Sequence, residues 1–147
     1  MIALTPFVVD DIFEIEVQPE QQGHMIDAHS TAQTLLQAGP TVTARGGNGR
    51  ILMIGSLIPL FSNNALVHAL LAREILHDMV ALTRATRTWF DDCGFYRLTA
   101  WVDPSHSAAM RWIGLLGFKQ EAVMPHFGDG GQTIISFARF AATTGEE

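Results

Sequence analysis

The sequence contains a single cysteine, Cys93, among its 147 residues, and this excludes an internal disulfide. Basic residues are also scarce. Nine Lys and Arg stand against fifteen Asp and Glu and form no block, which excludes the basic footprint of a nucleic-acid-binding protein. No apolar run is long enough to cross a membrane, and the N-terminus lacks a basic stretch followed by an apolar one. We therefore expect no nucleic acid partner, no membrane association and no secretion by a signal peptide.

Histidine spacing does not predict a metal site. The chain has six histidines, and His24 and His29 are separated by four residues with no cysteine beside either. A structural zinc site is built from Cys and His ligands at characteristic short spacings, which this sequence lacks. We expect no metal cofactor.

Apolar residues, by contrast, are plentiful enough for one core. Hydrophobic residues make up 48% of the chain and charged residues 16%, which is typical of a compact globular protein rather than a disordered one. The length is typical of one domain. We predict a single domain over residues 1–142, followed by a frayed tail over residues 143–147.

The apolar period along the first half of the chain predicts a strand, two helices and three antiparallel strands. The first helix is expected to begin at Asp10 and Asp11 and to bury Ile12 and Phe13. The first two of the three later strands are joined by RGGNG at residues 45–49, which predicts a hairpin turn rather than a phosphate-binding loop because a strand follows it. Gly55 predicts a bulge or a bend in the second strand.

In the second half, a long helix over residues 79–93 leads to a strand, a helix and two closing strands. The strand is expected to bury Tyr96, and Asp103 and Pro104 are placed to begin the helix that follows. Gly117 is expected to end that helix in a left-handed conformation, with Phe118 entering the core. The order β-α-α-β-β-β-α-β-α-β-β predicts an α/β fold with a mixed, mostly antiparallel sheet and helices on both faces.

The segment YRLTAWVDPSHSAAMRWIGLLGFKQEAVM, residues 96–124, resembles the GCN5-related N-acetyltransferase (GNAT) superfamily. In that family the fourth helix runs from an Asn through a small residue to an aromatic one and ends in Leu-Gly-Phe. His106 stands where the Asn would be, Trp112 supplies the aromatic residue, and residues 116–118 supply the ending. EAVMPHFGDGGQTIISFARF, residues 121–140, is similar to the family's closing hairpin. The combination is most similar to acetyltransferase-like proteins of tailed bacteriophages.

This resemblance implies the GNAT fold and a site for acetyl-CoA. Family members hold its pyrophosphate on backbone amides of a Gly-rich loop before the third helix, because helix N-termini offer unpaired N–H groups and a positive dipole end. Here that loop falls on REILHDM, where bulky side chains replace small ones and a carboxylate adds negative charge, which predicts a degraded site. The candidate cofactor-binding residues are Arg73, Ile75, His77, Asp78, Met79 and His106.

The resemblance also implies a tyrosine in the fourth helix that protonates the leaving thiolate, and this chain has Ile113 there. His68 is the candidate catalytic base, since histidine titrates near neutrality. Alternatively, His68 is a hydrogen-bonded core or edge residue. His77 and Asp78 are alternatively capping residues of the third helix, with Asp78 as the N-cap.

Two functions follow. In the first, which the residues favour, the chain keeps the GNAT scaffold without transfer activity. It then acts as a phage virion or assembly component, bound to a protein partner or to copies of itself, in the virion or the host cytoplasm. In the second, it is an active acetyl-CoA-dependent N-acetyltransferase on an unknown amine, with His68 or a water accepting the proton. A third reading, a small-molecule-binding or toxin-neutralising module, has no specific residue in its favour.

Overall fold

The computed structural model describes residues 2–19, 21–22 and 28–141, which contain seven strands and four α-helices. The predicted order of helices and strands is confirmed, with one added 3-10 turn, Leu76–Asp78, before the third helix. The elements are β1 (Ala3–Pro6), α1 (Asp11–Glu14), α2 (Ala28–Ala38), β2 (Thr41–Arg45), β3 (Ile51–Phe61), β4 (Asn64–Leu71), α3 (Met79–Asp92), β5 (Arg97–Val102), α4 (Ser107–Leu115), β6 (Lys119–Met124) and β7 (Ile134–Phe140).

The strands form a sheet in the order β1-β2-β3-β4-β5-β7-β6. The pairs β1–β2, β2–β3, β5–β7 and β6–β7 are antiparallel, and β4 and β5 are parallel. The predicted fold class, a mixed, mostly antiparallel sheet with helices, is confirmed. The chain forms two compact units, Met1–Pro59 with His68–Ala85 and Leu60–Val67 with Thr86–Glu147. A single domain ending at residue 142 stays a prediction, and the predicted tail lies outside the described residues.

The core of the first unit is built on β3, whose residues 51–57 are all buried. The helix α1 adds Ile12 to this core, but the prediction that Phe13 is buried was wrong, because its side chain is 60% exposed. Successive side chains on a helix point about 100° apart. In the four-residue helix α1, Phe13 therefore points away from the face on which Ile12 is buried.

The predicted hairpin turn joins β2 and β3. The Gly46 N–H donates to the Arg50 carbonyl at 3.0 Å, and the Gly49 N–H donates to the Gly46 carbonyl at 2.9 Å. A bulge or a bend was predicted at Gly55, and the β2–β3 pairing contains no bulge there, since Gly55 pairs with Val42 in regular register. The register shift lies instead at the end of β2, between residues 44 and 45, so the irregularity is absorbed beside the turn.

In the second unit, the helix α4 begins later than predicted. Asp103 and Pro104 do not begin it, and His106 is its N-cap. The Asp103 carboxylate accepts from the Ser105 N–H at 2.9 Å and from the Ser105 hydroxyl at 2.8 Å, while the His106 N–H donates to the Asp103 carbonyl at 3.0 Å. These bonds close a separate turn. The Asp103 carboxylate is engaged in that turn and therefore does not cap α4 as the sequence predicted.

The end of α4 is as predicted. Gly117 has φ 95°, a left-handed conformation that costs glycine little, and the Phe118 N–H donates back to the Ile113 carbonyl at 3.2 Å. Phe118 is buried, and its ring lies edge-on to that of Phe90, with centroids 5.7 Å apart. Arg139 donates to the Leu116 carbonyl at 2.9 Å and so satisfies an acceptor at this helix end.

The prediction that Tyr96 is buried was wrong. Its side chain is 44% exposed, and its ring centroid lies 5.9 Å from that of Phe140. Because β5 begins at Arg97, Tyr96 lies one residue before the strand and outside its alternation of faces.

Candidate functional site

The candidate residues lie in both compact units. His68 and residues 73–79 belong to the first unit, whereas His106 and Ile113 belong to the second. Between β4 and α3 runs a segment that we call the α3 loop, residues 73–78. It contains no glycine, and Glu74 takes the left-handed conformation instead, with φ 58°. The sequence therefore locates this loop correctly, and its turn is made by a residue that rarely adopts that conformation.

Two backbone amides at the start of α3, where a phosphate would bind, already donate hydrogen bonds within the 3-10 turn. The 3-10 turn begins after Ile75, so the Asp78 N–H donates to the Ile75 carbonyl at 2.9 Å. The Met79 N–H donates to the Leu76 carbonyl. Asp78 does lie immediately before α3, where an N-cap was predicted. The cap position of the preceding turn, however, is occupied by Ile75, which makes no side-chain cap bond.

Arg50 holds the α3 loop from the hairpin side. Its guanidinium donates to the Glu74 carbonyl at 3.1 Å and also to the Arg73 carbonyl. The Arg50 N–H in turn donates to the Asn48 side chain at 3.0 Å, which fixes the arginine at the end of the turn. The Arg73 guanidinium donates to the Val17 carbonyl at 3.3 Å. Two cations therefore lie at this loop, both engaged by backbone carbonyls.

The side chains of the α3 loop form a poor cradle for an anion. Ile75 is buried, Leu76 is 85% exposed, and Glu74 and Asp78 bring two carboxylates to the loop. The Asp78 Oδ1 atom lies 3.8 Å from the position that a Cβ on Gly46 would take, so its charge stands beside the hairpin turn. A pyrophosphate needs free amides, close backbone approach and an absence of negative charge. The residues of this loop do not fit it.

His68, the predicted catalytic base, lies in β4 of the first unit and is half-buried, with its Nδ1 atom buried. A half-buried imidazole on a strand is compatible both with proton transfer and with a purely structural role. Its catalytic role stays a prediction.

In the second unit, α4 lacks the implied proton donor. Ile113 occupies the position of the implied tyrosine and is buried. Tyr96, the single tyrosine of the chain, stands before β5 against Phe140. His106 lies at the N-cap of α4, half-buried, and a cofactor-binding role for it stays a prediction.

Sequence reasoning missed two residues that shape the first unit, Arg50 and Gln21. Arg50 contacts backbone 23 and 24 residues away, and Gln21 contacts backbone 48 and 50 residues away. Both side chains bind carbonyl or amide groups, which every residue carries, so no local pattern identifies their partners.

Within residues 2–19, 21–22 and 28–141, no group of three or more His, Cys, Asp or Glu side chains is placed to hold a metal ion. His24 and the side chain of His29 lie outside the described residues. No helix in the same part of the chain is both long enough and apolar enough to cross a membrane.

No family model and no curated protein matches the sequence. The structure, however, is similar to solved acetyltransferases over nearly its whole length. It matches Ard1 from Thermoplasma volcanium with a TM-score of 0.77 at 13% identity, covering 97% of this chain and 99% of that one. It matches the ribosomal-protein-S18-alanine N-acetyltransferase from Escherichia coli with a TM-score of 0.72 at 14% identity, covering 100% and 98%. A GNAT-family acetyltransferase from Bacillus anthracis matches with a TM-score of 0.73 at 10% identity, covering 95% and 94%. At such identities the likeness shows the fold, and the fold is that of GNAT acetyltransferases.

Proposed function

We propose that the chain is a GNAT-fold protein that has no acetyl-transfer activity and serves as a protein-binding scaffold, as a virion or assembly component of a bacteriophage. The observation that carries the proposal is the α3 loop. Its Asp78 and Met79 amides bond within the loop, Arg50 is engaged by its carbonyls, and Glu74 and Asp78 add negative charge. Acetyl-CoA binding through pyrophosphate therefore has no support from these residues.

The buried Ile113 supports the same proposal. An acid in the fourth helix would protonate the leaving thiolate, and general acid catalysis of this kind contributes about 10²–10⁴-fold to a rate. An isoleucine cannot supply it. A protein that lacks both the cradle and the acid keeps the fold without the chemistry, since fold alone does not determine function.

Exposed aromatic side chains in the second unit support a protein partner. Trp101 and Phe127 are both about half exposed, and their ring centroids lie 5.0 Å apart, edge to face. Tyr96 and Phe140 form a second exposed pair. Tryptophan and tyrosine dominate binding energy at protein interfaces, so these pairs are the candidate contact points for a partner or a second copy. The likeness of residues 96–140 to phage acetyltransferase-like proteins supports the virion or assembly setting, in the particle or the host cytoplasm.

The test has two arms. In the first, the purified protein is titrated calorimetrically with acetyl-CoA and with CoA, and we expect no binding heat up to millimolar ligand. Micromolar binding of either would contradict the proposal.

In the second arm, tagged wild-type protein and a Trp101→Ala variant are compared for a protein captured from phage-infected cells and identified by mass spectrometry. Phe13→Ala, which removes an exposed aromatic of the first unit, is the matched control. We expect the partner to be lost from Trp101→Ala alone. Capture that is equal for all three proteins would show that the aromatic pair is not the contact.

An active N-acetyltransferase is the second candidate, and two observations favour it. The fold matches solved acetyltransferases over nearly the whole chain, and the guanidinium groups of Arg50 and Arg73 lie at the α3 loop. Its test is a screen of amine acceptors with acetyl-CoA, comparing the wild type with His68→Ala. Transfer that falls about 100-fold or more in His68→Ala would establish this function, with His68 as its base. Transfer by neither protein would exclude it.

A further inference from the structure

The strand β1, in the first unit, lies at an edge of the sheet, and half of its backbone groups face outward. Among the described strands it has β2 as its single neighbour. The Phe7 N–H donates to the Thr41 carbonyl at 3.1 Å, and the β1–β2 register continues from that pair. Alternate residues of an antiparallel strand face the same neighbour, so the backbone groups of Ala3 and Thr5 also face β2. The residues whose backbone groups face away from the sheet are Ile2, Leu4 and Pro6.

This open edge is poorly protected against the addition of another strand. Natural edge strands are protected by charged side chains, by bulges or by a covering segment. β1 contains no charged residue, its ladder with β2 has no register shift, and three of its four residues are exposed. In the part of the chain that the structure describes, neither the Ile2 N–H nor the Leu4 N–H donates a hydrogen bond. Pro6, which has no N–H, is the one protective residue of this edge.

The strand β6, which ends the sheet on the other side, differs from β1 in both respects. It carries Lys119 and Glu121, and its ladder with β7 shifts register between residues 120 and 122. Charges and a register shift on an edge both disfavour the addition of a strand. Strand addition is therefore expected at β1 and not at β6.

The open edge of β1 is complementary to itself. When a second β1 runs antiparallel with the two Leu4 residues opposite each other, the strands overlap over all of residues 2–6. Each Leu4 N–H then donates to the Leu4 carbonyl of the other copy, and each Ile2 N–H donates to the Pro6 carbonyl of the other copy. Both outward N–H groups gain an acceptor in this register. The proline lies opposite Ile2, where its missing N–H leaves one carbonyl to water.

Charge also favours a second copy at this edge. The chain has a formal net charge of −6, so two copies repel each other over most orientations. β1 is uncharged, and in the antiparallel register Ala3 of one copy lies beside Thr5 of the other, with no like charges opposite each other. Two copies can therefore meet through this edge without bringing charged side chains of β1 together.

We propose that the open edge of β1 is a self-association site, at which a second copy of this chain adds its own β1 antiparallel and forms a two-fold symmetric dimer. The proposal goes beyond the proposed function, which places a partner on exposed aromatic pairs of the second unit, and it does not depend on whether the chain transfers acetyl groups. A contact in which both copies use the same surface closes as a dimer and does not propagate. Residues 2–6 of two copies bury less than about 1,200 Å², so we expect a weak dimer that dissociates on dilution.

The first readout is the oligomeric state of the full chain without an N-terminal tag, measured by sedimentation velocity. We expect a monomer–dimer equilibrium between about 1 μM and 1 mM protein. Leu4→Pro removes the N–H at the centre of the contact and leaves the β1–β2 ladder intact, because that N–H faces away from β2. Leu4→Ala loses the same side chain but keeps the N–H, and it is the matched control.

We expect the dimer dissociation constant of Leu4→Pro to be about tenfold or more above that of Leu4→Ala, since each copy loses a central hydrogen bond. Equal dissociation constants for the two variants would overturn the site. A monomer at every concentration would also overturn it and would leave the edge to a strand of another protein.

The second readout is amide hydrogen exchange of the wild type by NMR, which remains informative if Leu4→Pro does not fold. The Leu4 amide should exchange about threefold or more slowly at the high protein concentration than at the low one, because the dimer supplies its acceptor. The Thr5 amide, which faces β2, should exchange equally at both concentrations. A Leu4 exchange rate that does not change with concentration would overturn the site, and slow exchange throughout would show that another part of the same chain covers the edge.

A dimer that is lost in Trp101→Ala and kept in Leu4→Pro would place the self-contact on the aromatic pairs, and it would overturn the proposal. Oligomers that grow beyond the dimer would overturn the closed two-fold contact. These outcomes are separable from those for the proposed function. Acetyl transfer by a protein that dimerises through Leu4 would refute the scaffold function and leave the dimer site standing, whereas an absence of acetyl-CoA binding in a protein that stays monomeric would do the opposite.

Discussion

Replacement of Asp11 by alanine should unfold the first unit at a markedly lower denaturant concentration. Asp11 is a buried carboxylate at the start of α1. It accepts from the Thr43 hydroxyl at 2.7 Å and from the Val8 N–H at 3.1 Å, and it pairs with Arg45 at 3.0 Å. These contacts join the loop before α1, the helix itself and β2. The alanine variant removes all three at once.

The magnitude follows from the burial of the carboxylate and of its partner Thr43. A hydrogen bond to a charged group contributes about 1.5–3 kcal/mol, and a buried donor left without an acceptor costs about 1–3 kcal/mol. Thr43 is fully buried, so its hydroxyl has no water to replace the carboxylate. We expect Asp11→Ala to lower the free energy of unfolding by about 3 kcal/mol, which corresponds to a loss of roughly 6–12 °C in Tm for a chain of this size.

Urea unfolding followed by circular dichroism measures this loss, and Glu14→Ala is the matched control. Glu14 pairs with the same arginine at 2.8 Å but is half exposed, so its removal should hardly move the midpoint. If Asp11→Ala does not fold, Asp11→Asn keeps one acceptor oxygen and should show a smaller loss of the same sign. An Asp11→Ala midpoint equal to that of Glu14→Ala would refute the reasoning.

Two further predictions concern α4 and the turn before it. Gly117→Ala should lower the free energy of unfolding by about 1–2 kcal/mol, because φ is 95° and a Cβ would lie 3.2 Å from the Arg139 Nε atom. Gly114→Ala, where a Cβ would meet nothing within 4 Å, should raise it by up to about 1 kcal/mol, and equal thermal shifts for the two variants would contradict this account. The Ser105 backbone N–H, and then its hydroxyl, lower the pKa of Asp103. The stabilising bonds of this carboxylate are therefore present above its unfolded pKa and are lost as pH falls through its folded pKa. NMR titration should show that the pKa of Asp103 is lower in the folded protein than in an unfolded peptide, and that it rises in Ser105→Ala. The same pKa in the wild type, the variant and the peptide would refute this prediction.

Local chemistry made much of the fold predictable. The change of apolar period located the strands, and Gly117 followed by Phe118 identified the end of α4 because both signals act within a few residues. Two of the errors share a cause. Phe13 and Tyr96 lie at the limits of short elements, where one residue of difference in length changes which side chains are buried. Asp103 formed a turn of its own because the same carboxylate can cap either a turn or a helix.

The loop before α3 was predictable in position, whereas its contacts were not. The resemblance placed the cofactor loop on residues 73–79, and the structure has a loop and a 3-10 turn there. The groups that hold this region, Arg50 and Gln21, bind backbone atoms far away in sequence. Every residue has a backbone carbonyl, so the sequence does not indicate which carbonyl a given side chain binds. Only the folded structure shows it.

Calorimetric titration of the purified protein with acetyl-CoA, with CoA alongside, tests the central claim most directly. The α3 loop, with Asp78 and Glu74 beside it and its Asp78 and Met79 amides already bonded, predicts no binding heat up to millimolar ligand. Binding at micromolar concentration would contradict the scaffold function and would make the acceptor screen with His68→Ala the next experiment.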